Sequence, residues 1–265
     1  MLFNLGETRS SLKADHLLQT PDTFIRIPLP NASKVEFVVH CGPRIGAKFT
    51  QMTAEFAAGG RMGASEPGIQ RFVYVLEGAL SVTMQDASDQ RYSLTQGQHI
   101  YIPAGIPHWI EAENAAKAVV IEKVYQPSSG TAVGELEVVT GDEAGATSEP
   151  LGGDPNLQVR RLMPDGPLWD FAVNTITYAP GATLALTEIH VMEHGLLMLE
   201  GGGIYKLGDY WYPVTAGDFI WMGPYCPQWF GALGKTPAKY LIYKDWYRHP
   251  LEMSTHDLRP YAGNR

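Results

Sequence analysis

Short apolar runs broken by glycine and proline set the pattern of this chain. Val35-Glu36-Phe37-Val38-Val39, Phe72-Val73-Tyr74-Val75-Leu76 and Tyr240-Leu241-Ile242-Tyr243 are rich in β-branched and aromatic residues and too short for stable helices. The 28 glycines and 19 prolines are spread evenly between such runs, the turn signature of many short strands. Helical periodicity is weak throughout. The best helical stretch is one brief turn near Ser11 to Leu18. The pattern predicts an all-β sandwich or barrel.

The chain also repeats itself. Val75-Leu76-Glu77-Gly78 matches Met198-Leu199-Glu200-Gly201 at an offset of 123 residues. Gln96-Gly97-Gln98-His99-Ile100-Tyr101-Ile102-Pro103 matches Ala216-Gly217-Asp218-Phe219-Ile220-Trp221-Met222-Gly223, and Pro107-His108-Trp109 matches Pro227-Gln228-Trp229, both at 120. A three-residue difference in one hairpin loop accounts for the change. So long a period means duplicated domains rather than a solenoid. The expected division is a first barrel over 1–125, a linker over 126–156 rich in Gly, Ser, Pro and acidic residues, and a second barrel over 157–265. A strand is expected in the linker around Leu136-Glu137-Val138-Val139.

The 265 residues are 45% hydrophobic and 18% charged, enough apolar content for a sizeable core. The net charge is -8 with no basic block, which disfavours nucleic acid and anionic membrane as partners. Cys41 and Cys226 lie far apart with no CxxC spacing, so a reducing compartment is expected. The first residues lack a basic region followed by a long apolar run, and no stretch reads as a membrane span. A cytoplasmic location follows as the default.

Each half resembles a cupin: an inward-facing strand, a glycine-containing hairpin, a Gly-(Asp or Gln)-x-Ile strand, a proline turn and a last inward polar residue. That resemblance implies two tandem jelly-roll β-barrels, a bicupin, with small-molecule sites at the barrel mouths. The halves differ in chemistry. Glu188, His190 and His194 share parity, so on a strand they would point into one cavity, with Gln228 as the last inward residue. A carboxylate and two imidazoles are costly to bury uncompensated, and a divalent cation would satisfy them together. Oxygen donors with open water positions suit Mn²⁺, with Fe²⁺ second, over tetrahedral Zn²⁺.

In the first half the matching positions are Ser65, Pro67 and Arg71, none a credible ligand, and His108 stands opposite Gln228. The first barrel is therefore expected to be a scaffold, with Gln70-Arg71 near its mouth as a surface or oligomer contact. Among other histidines, His40 reads as core and His99, matched by Phe219, as structural. His16, His249 and His256 read as surface.

Glu-x-His-x3-His with a later Gln, in the second barrel of a duplicated cupin, resembles the (S)-ureidoglycine aminohydrolases of purine and allantoin degradation. The likeness covers nearly the whole chain. It is strongest over Glu188 to Gly195, Gly203-Ile204-Tyr205, Trp211 to Val214, Ala216 to Gly223 and Tyr240 to Asp245. It implies a manganese set of Glu188, His190, His194 and Gln228, and substrate-site residues Tyr205, Tyr240 and Lys244. It also implies oligomers, and hydrolytic release of ammonia from (S)-ureidoglycine to give (S)-ureidoglycolate. Glu188, Tyr205 and Lys244 are then the catalytic candidates, with Glu188 also touching substrate. The residues support part of this directly. Tyr240 and Lys244 face one side of a strand, and an inward lysine needs an anion such as a substrate carboxylate. Two other readings stand beside it: a cupin Fe²⁺ dioxygenase, and a non-catalytic bicupin that binds a small acid.

Overall fold

The computed structural model describes residues 7–85, 90–126, 136–166 and 168–245. Among these the chain is almost all strand, with three single 3-10 turns. No helix among them is long and apolar enough to cross a membrane.

The first barrel is one curled sheet of ten strands. Its central strand, Thr50–Gly63, pairs with Ala116–Val124 along its first part and with His108–Ala112 along its end, so it wraps from one face to the other. The second barrel uses an eight-stranded sheet and a separate three-stranded one, Gly202–Leu207 between Tyr210–Thr215 and Gln228–Ala232. The wrap is broken here because Phe171–Tyr178 stops before Ala179-Pro180-Gly181. Proline has no donor for the ladder.

Hydrogen bonding does not divide the strands by the expected ranges. Ser11–Leu12 and His16–Gln19, where a helical turn was expected, are strands in the second barrel's sheet, through His16–Gln19 against Phe219–Met222. His16 to Leu18 alternates buried, half-buried, buried, and edge pairing overrides a weak local helical preference. Val139–Asp142 of the linker pairs with Gln98–Ile102 in the first barrel, beginning at the last residue of the expected 136–139 strand. Ser148–Leu151 and Asp154–Arg161 extend the second sheet.

Each barrel has its own apolar interior, and a third cluster joins them through Phe49, Phe72, Tyr101, Phe171, Phe219, Trp221 and Tyr243. Each such side chain contributes about 1.5–3 kcal/mol by burial. Phe49 stacks on Tyr243 with ring centroids 3.8 Å apart. Gly195 permits this contact, since a Cβ there would lie 2.6 Å from the Phe49 ring. Polar groups at this joint follow the repeat. On one side Lys123 Nζ meets Asp170 at 2.6 Å, and Gln70 bonds both Asp170 and the Tyr101 hydroxyl. On the other, Glu193 accepts from the Lys48 backbone N at 3.0 Å and from Trp221 Nε1 at 3.3 Å, and its own N donates to Asp245 at 2.8 Å. Burial, with Asp245 beside it, pushes the Glu193 carboxyl up to about 7.

Gln70 and Arg71 are therefore not a surface pair. Both are buried, because strand alternation sends Gln70 to the joint and Arg71 into the first barrel. His16 is also fully buried, since edge pairing carries it beneath Tyr212. His40 and His99 are buried within strands of the first barrel. His249 and His256 lie outside the described residues.

Candidate active site

The second barrel's interior is built from three directions. Ala238–Asp245 turns Tyr240, Ile242 and Lys244 to one face, as alternation requires. Gly202–Leu207 sends in Tyr205, and Gln228–Ala232 sends in Gln228 and Phe230. The stretch carrying Glu188 and His190 is not a strand. Only His194 begins one, His194–Glu200. Glu188 is held by an isolated bridge to Gln228, N to O at 2.8 Å and 2.9 Å in the two directions. Tyr225 N then holds the His190 carbonyl at 2.9 Å. The shared parity thus holds in number while the geometry arises from a loop pinned at two points.

This loop brings His190 and His194 together, with their Nε2 atoms 3.2 Å apart. Two imidazole nitrogens about 2.1 Å from one ion lie about 3.0–3.4 Å apart at angles of roughly 90–109°. The observed separation fits that range. The Gln228 carboxamide nitrogen is 2.8 Å from His190 Nε2, and its oxygen accepts from the Tyr205 hydroxyl at 3.3 Å. The two ends of an amide occupy interchangeable positions, so a half-turn would present oxygen to the imidazoles. Burial pushes both histidines down, with Lys244 adding to it. This favours the neutral imidazole, the form that offers a lone pair to a cation. The other ring nitrogen of His190, Nδ1, is buried near the Met192 backbone.

Glu188 is brought less close. Its carboxylate does not lie within 4.8 Å of both imidazole nitrogens. Among the described residues, the His, Cys, Asp and Glu side chains grouped that tightly are Asp15, His16 and Cys226. Burial raises the Glu188 carboxyl, and the Lys244 ammonium pulls it down. A bound cation would reverse that balance.

Two residues that sequence reasoning missed complete the interior. Asn174, oriented to satisfy both ends of its carboxamide, accepts from Lys244 Nζ at 3.2 Å and donates to the Val173 carbonyl at 3.0 Å. The Tyr178 hydroxyl lies 3.0 Å from that of Tyr240. The signal was present in the repeat: strand register sets Asn174 over Met52 and Tyr178 over Phe56, a polar atom gained each time. Lys244 is largely buried, which lowers its pKa, with Arg161 adding to the effect and Asp165 and Glu188 opposing it.

The chain has known relatives along nearly its whole length. The cupin domain model matches residues 52–122 and 174–243. The (S)-ureidoglycine aminohydrolase of Arabidopsis thaliana is 38% identical over 248 residues, spanning 93% of this chain and 80% of the relative. This chain belongs to the (S)-ureidoglycine aminohydrolase family. A member from Escherichia coli K12 is 28% identical across 87% of this chain and 88% of its own. The crystal structure of the E. coli protein Ylba superimposes with a TM-score of 0.79 at 25% identity, covering 91% of this chain and 95% of that one. The family's two-barrel, all-β architecture is the one described above.

Proposed function

We propose that the second barrel hydrolyses (S)-ureidoglycine to (S)-ureidoglycolate and ammonia, using Mn²⁺ held by Glu188, His190, His194 and Gln228. The observation that carries this reading is the approach of two imidazoles to 3.2 Å beside an amide, in a chain of this family. Glu188, tied to Gln228 through its backbone, would be the fourth ligand. When bound, the ion supplies charge stabilisation and orientation of the substrate.

The chain's own groups do the rest. Lys244 pairs with the substrate carboxylate, steadied by Asn174. Tyr240, backed by Tyr178, assists in binding. The carbon–nitrogen bond to the amine breaks, the oxygen of water bonds to that carbon in its place, and a proton from the water leaves on the nitrogen as ammonia. Glu188 and Tyr205 handle the protons, Tyr205 from its place beside Gln228. The aromatic ring formed by Tyr178, Tyr205, Phe230 and Tyr240 excludes bulk water. Neutral and anionic oxygen donors favour Mn²⁺ over Fe²⁺. We place the protein in the cytoplasm as a homo-oligomer, acting on a small molecule and on neither nucleic acid nor membrane.

Ammonia release from freshly generated ureidoglycine, measured anaerobically with and without Mn²⁺, tests this. Metal-dependent release without oxygen is expected. Release only when oxygen is admitted would overturn the hydrolase and favour an Fe²⁺ dioxygenase. Tight binding without turnover in either atmosphere would favour a small-acid-binding bicupin.

A further inference from the structure

The N-terminal segment is joined to the barrel that carries the candidate metal ligands. Arg9 clamps Asp218 with both terminal nitrogens, at 2.6 and 2.9 Å. His16–Gln19 then pairs with Phe219–Met222, His16 facing Met222. At the end of that ladder the Asp15 carbonyl accepts from Gly223 N at 2.8 Å. The Asp15 carboxylate bonds His16 Nδ1 at 2.8 Å, and His16 Nε2 meets the Tyr212 hydroxyl at 2.9 Å. The Cys226 thiol completes this group. Both ring nitrogens of His16 are already engaged by oxygen, which makes the cluster a hydrogen-bonded brace rather than an ion site.

The brace presses on the loop Gly223–Gln228, and that loop touches three of the four candidate ligands. It contains Gln228, holds the His190 carbonyl through Tyr225 N, and bridges Glu188 through the Gln228 backbone. Tyr225 sits at φ 62°, a left-handed conformation that a non-glycine residue keeps only when its surroundings hold it. Gly208 N, bonded to the Pro227 carbonyl at 2.8 Å, holds the loop from the other side.

The first barrel supplies the control. There Val139–Asp142 occupies the place of His16–Gln19, with Val139 facing Tyr101 as Leu17 faces Trp221. Val138 is therefore the counterpart of His16, and it is half-buried against the first barrel's apolar core. Among the described residues, the first barrel thus has a valine where the second has the bracing histidine.

We propose that His16, with Asp15 and Tyr212, is a positioning residue that sets the Gly223–Gln228 loop and through it the metal-binding geometry of the second barrel. The proposal rests on reading His190, His194 and Gln228 as metal ligands. The test is Mn²⁺ affinity, read from the paramagnetic resonance signal of the free ion, with thermal unfolding followed in parallel. His16→Val copies the first barrel. It is expected to weaken Mn²⁺ binding roughly ten- to a hundredfold, the range seen when groups that orient metal ligands are removed. Tyr212→Phe, which removes one hydroxyl, should act in the same direction by a smaller factor, and His16→Gln should recover part of the affinity. His108→Ala, in the first barrel, should lower the unfolding temperature and leave Mn²⁺ affinity unchanged. If His16→Val and Tyr212→Phe lose stability alone, with tight Mn²⁺ binding retained, the positioning role is overturned and the hydrolase reading stands. If the unaltered chain binds no Mn²⁺, both fall together.

Discussion

Equivalent positions in the two barrels hold opposite solutions to one problem. In the first, Arg71 faces Glu122 across adjacent strands; in the second, His194 faces Lys244 at the same register. The Arg71 guanidinium gives Glu122 bonds of 2.8 and 2.6 Å, donates to the Gly63 carbonyl at 2.7 Å and meets His108 Nε2 at 2.8 Å. A protein cation thus fills the place where the second barrel gathers imidazoles, and its donors have partners. The second barrel replaces Met52, Phe56, Val82 and Ala118 by Asn174, Tyr178, Tyr205 and Tyr240. Its polar groups gather in the barrel interior, with Asn174 against Lys244 and Tyr178 against Tyr240. One fold is closed by an internal ion pair, while the other, among the described residues, sets two imidazoles and a carboxamide against one another with no cationic side chain hydrogen-bonded between them. Buried charge must be matched from within or from outside, and the two halves divide these options.

The sharpest break of this comparison is removal of the imidazoles. His190→Ala with His194→Ala should abolish metal content in elemental analysis. It should lower ammonia release roughly a thousandfold, as loss of several kcal/mol of charge stabilisation requires. Retained metal would place the site elsewhere.

Breaking the first barrel's pair should harm stability rather than chemistry. Arg71→Ala strands Glu122 and should cost about 3–5 kcal/mol in denaturant unfolding, nearer the lower figure because Glu122 keeps some contact with solvent. Replacing both partners by Met should recover most of that loss, with turnover per folded molecule unchanged.

Lys244→Met sharpens the contrast from the other side. Loss of a charge-assisted bond of about 1.5–3 kcal/mol should raise KM roughly ten- to a hundredfold while metal content holds. A variant that loses metal, yet binds substrate normally once metal is restored, would remove Lys244 as the carboxylate anchor.

The most gradual effect is a pH dependence. Burial, with Arg71 adding to it, lowers His108 to about 4. Between that value and the unfolded value of about 6.5, the unfolded state binds the extra proton. His108 therefore contributes stability that is full above about pH 6.5 and is lost as pH falls toward 4. His108→Gln should flatten that part of the profile by up to ~1.4 kcal/mol per pH unit. An unchanged slope would show that His108 is protonated in the folded barrel.

Much of this was legible before any coordinates. The duplication stands in matched tetrapeptides such as Val75 to Gly78 and Met198 to Gly201. The asymmetry of the halves stands in Ser65, Pro67 and Arg71 against Glu188, His190 and His194. The common face of Tyr240 and Lys244 follows from strand alternation alone. These are properties of residue type and local period, which a sequence states directly.

What only the tertiary structure decided depends on which distant segments pair. His16 read as a surface residue near a chain end, yet an edge ladder with Phe219–Met222 buries it. Glu188 and His190 read as strand residues, yet they lie on a loop pinned to Gln228 and Tyr225. Gln70 read as a mouth residue, yet it meets Asp170 across the joint between barrels. Alternation fixes which side of a strand a residue takes; what lies on that side is set by pairing across more than a hundred residues, and no local period records it.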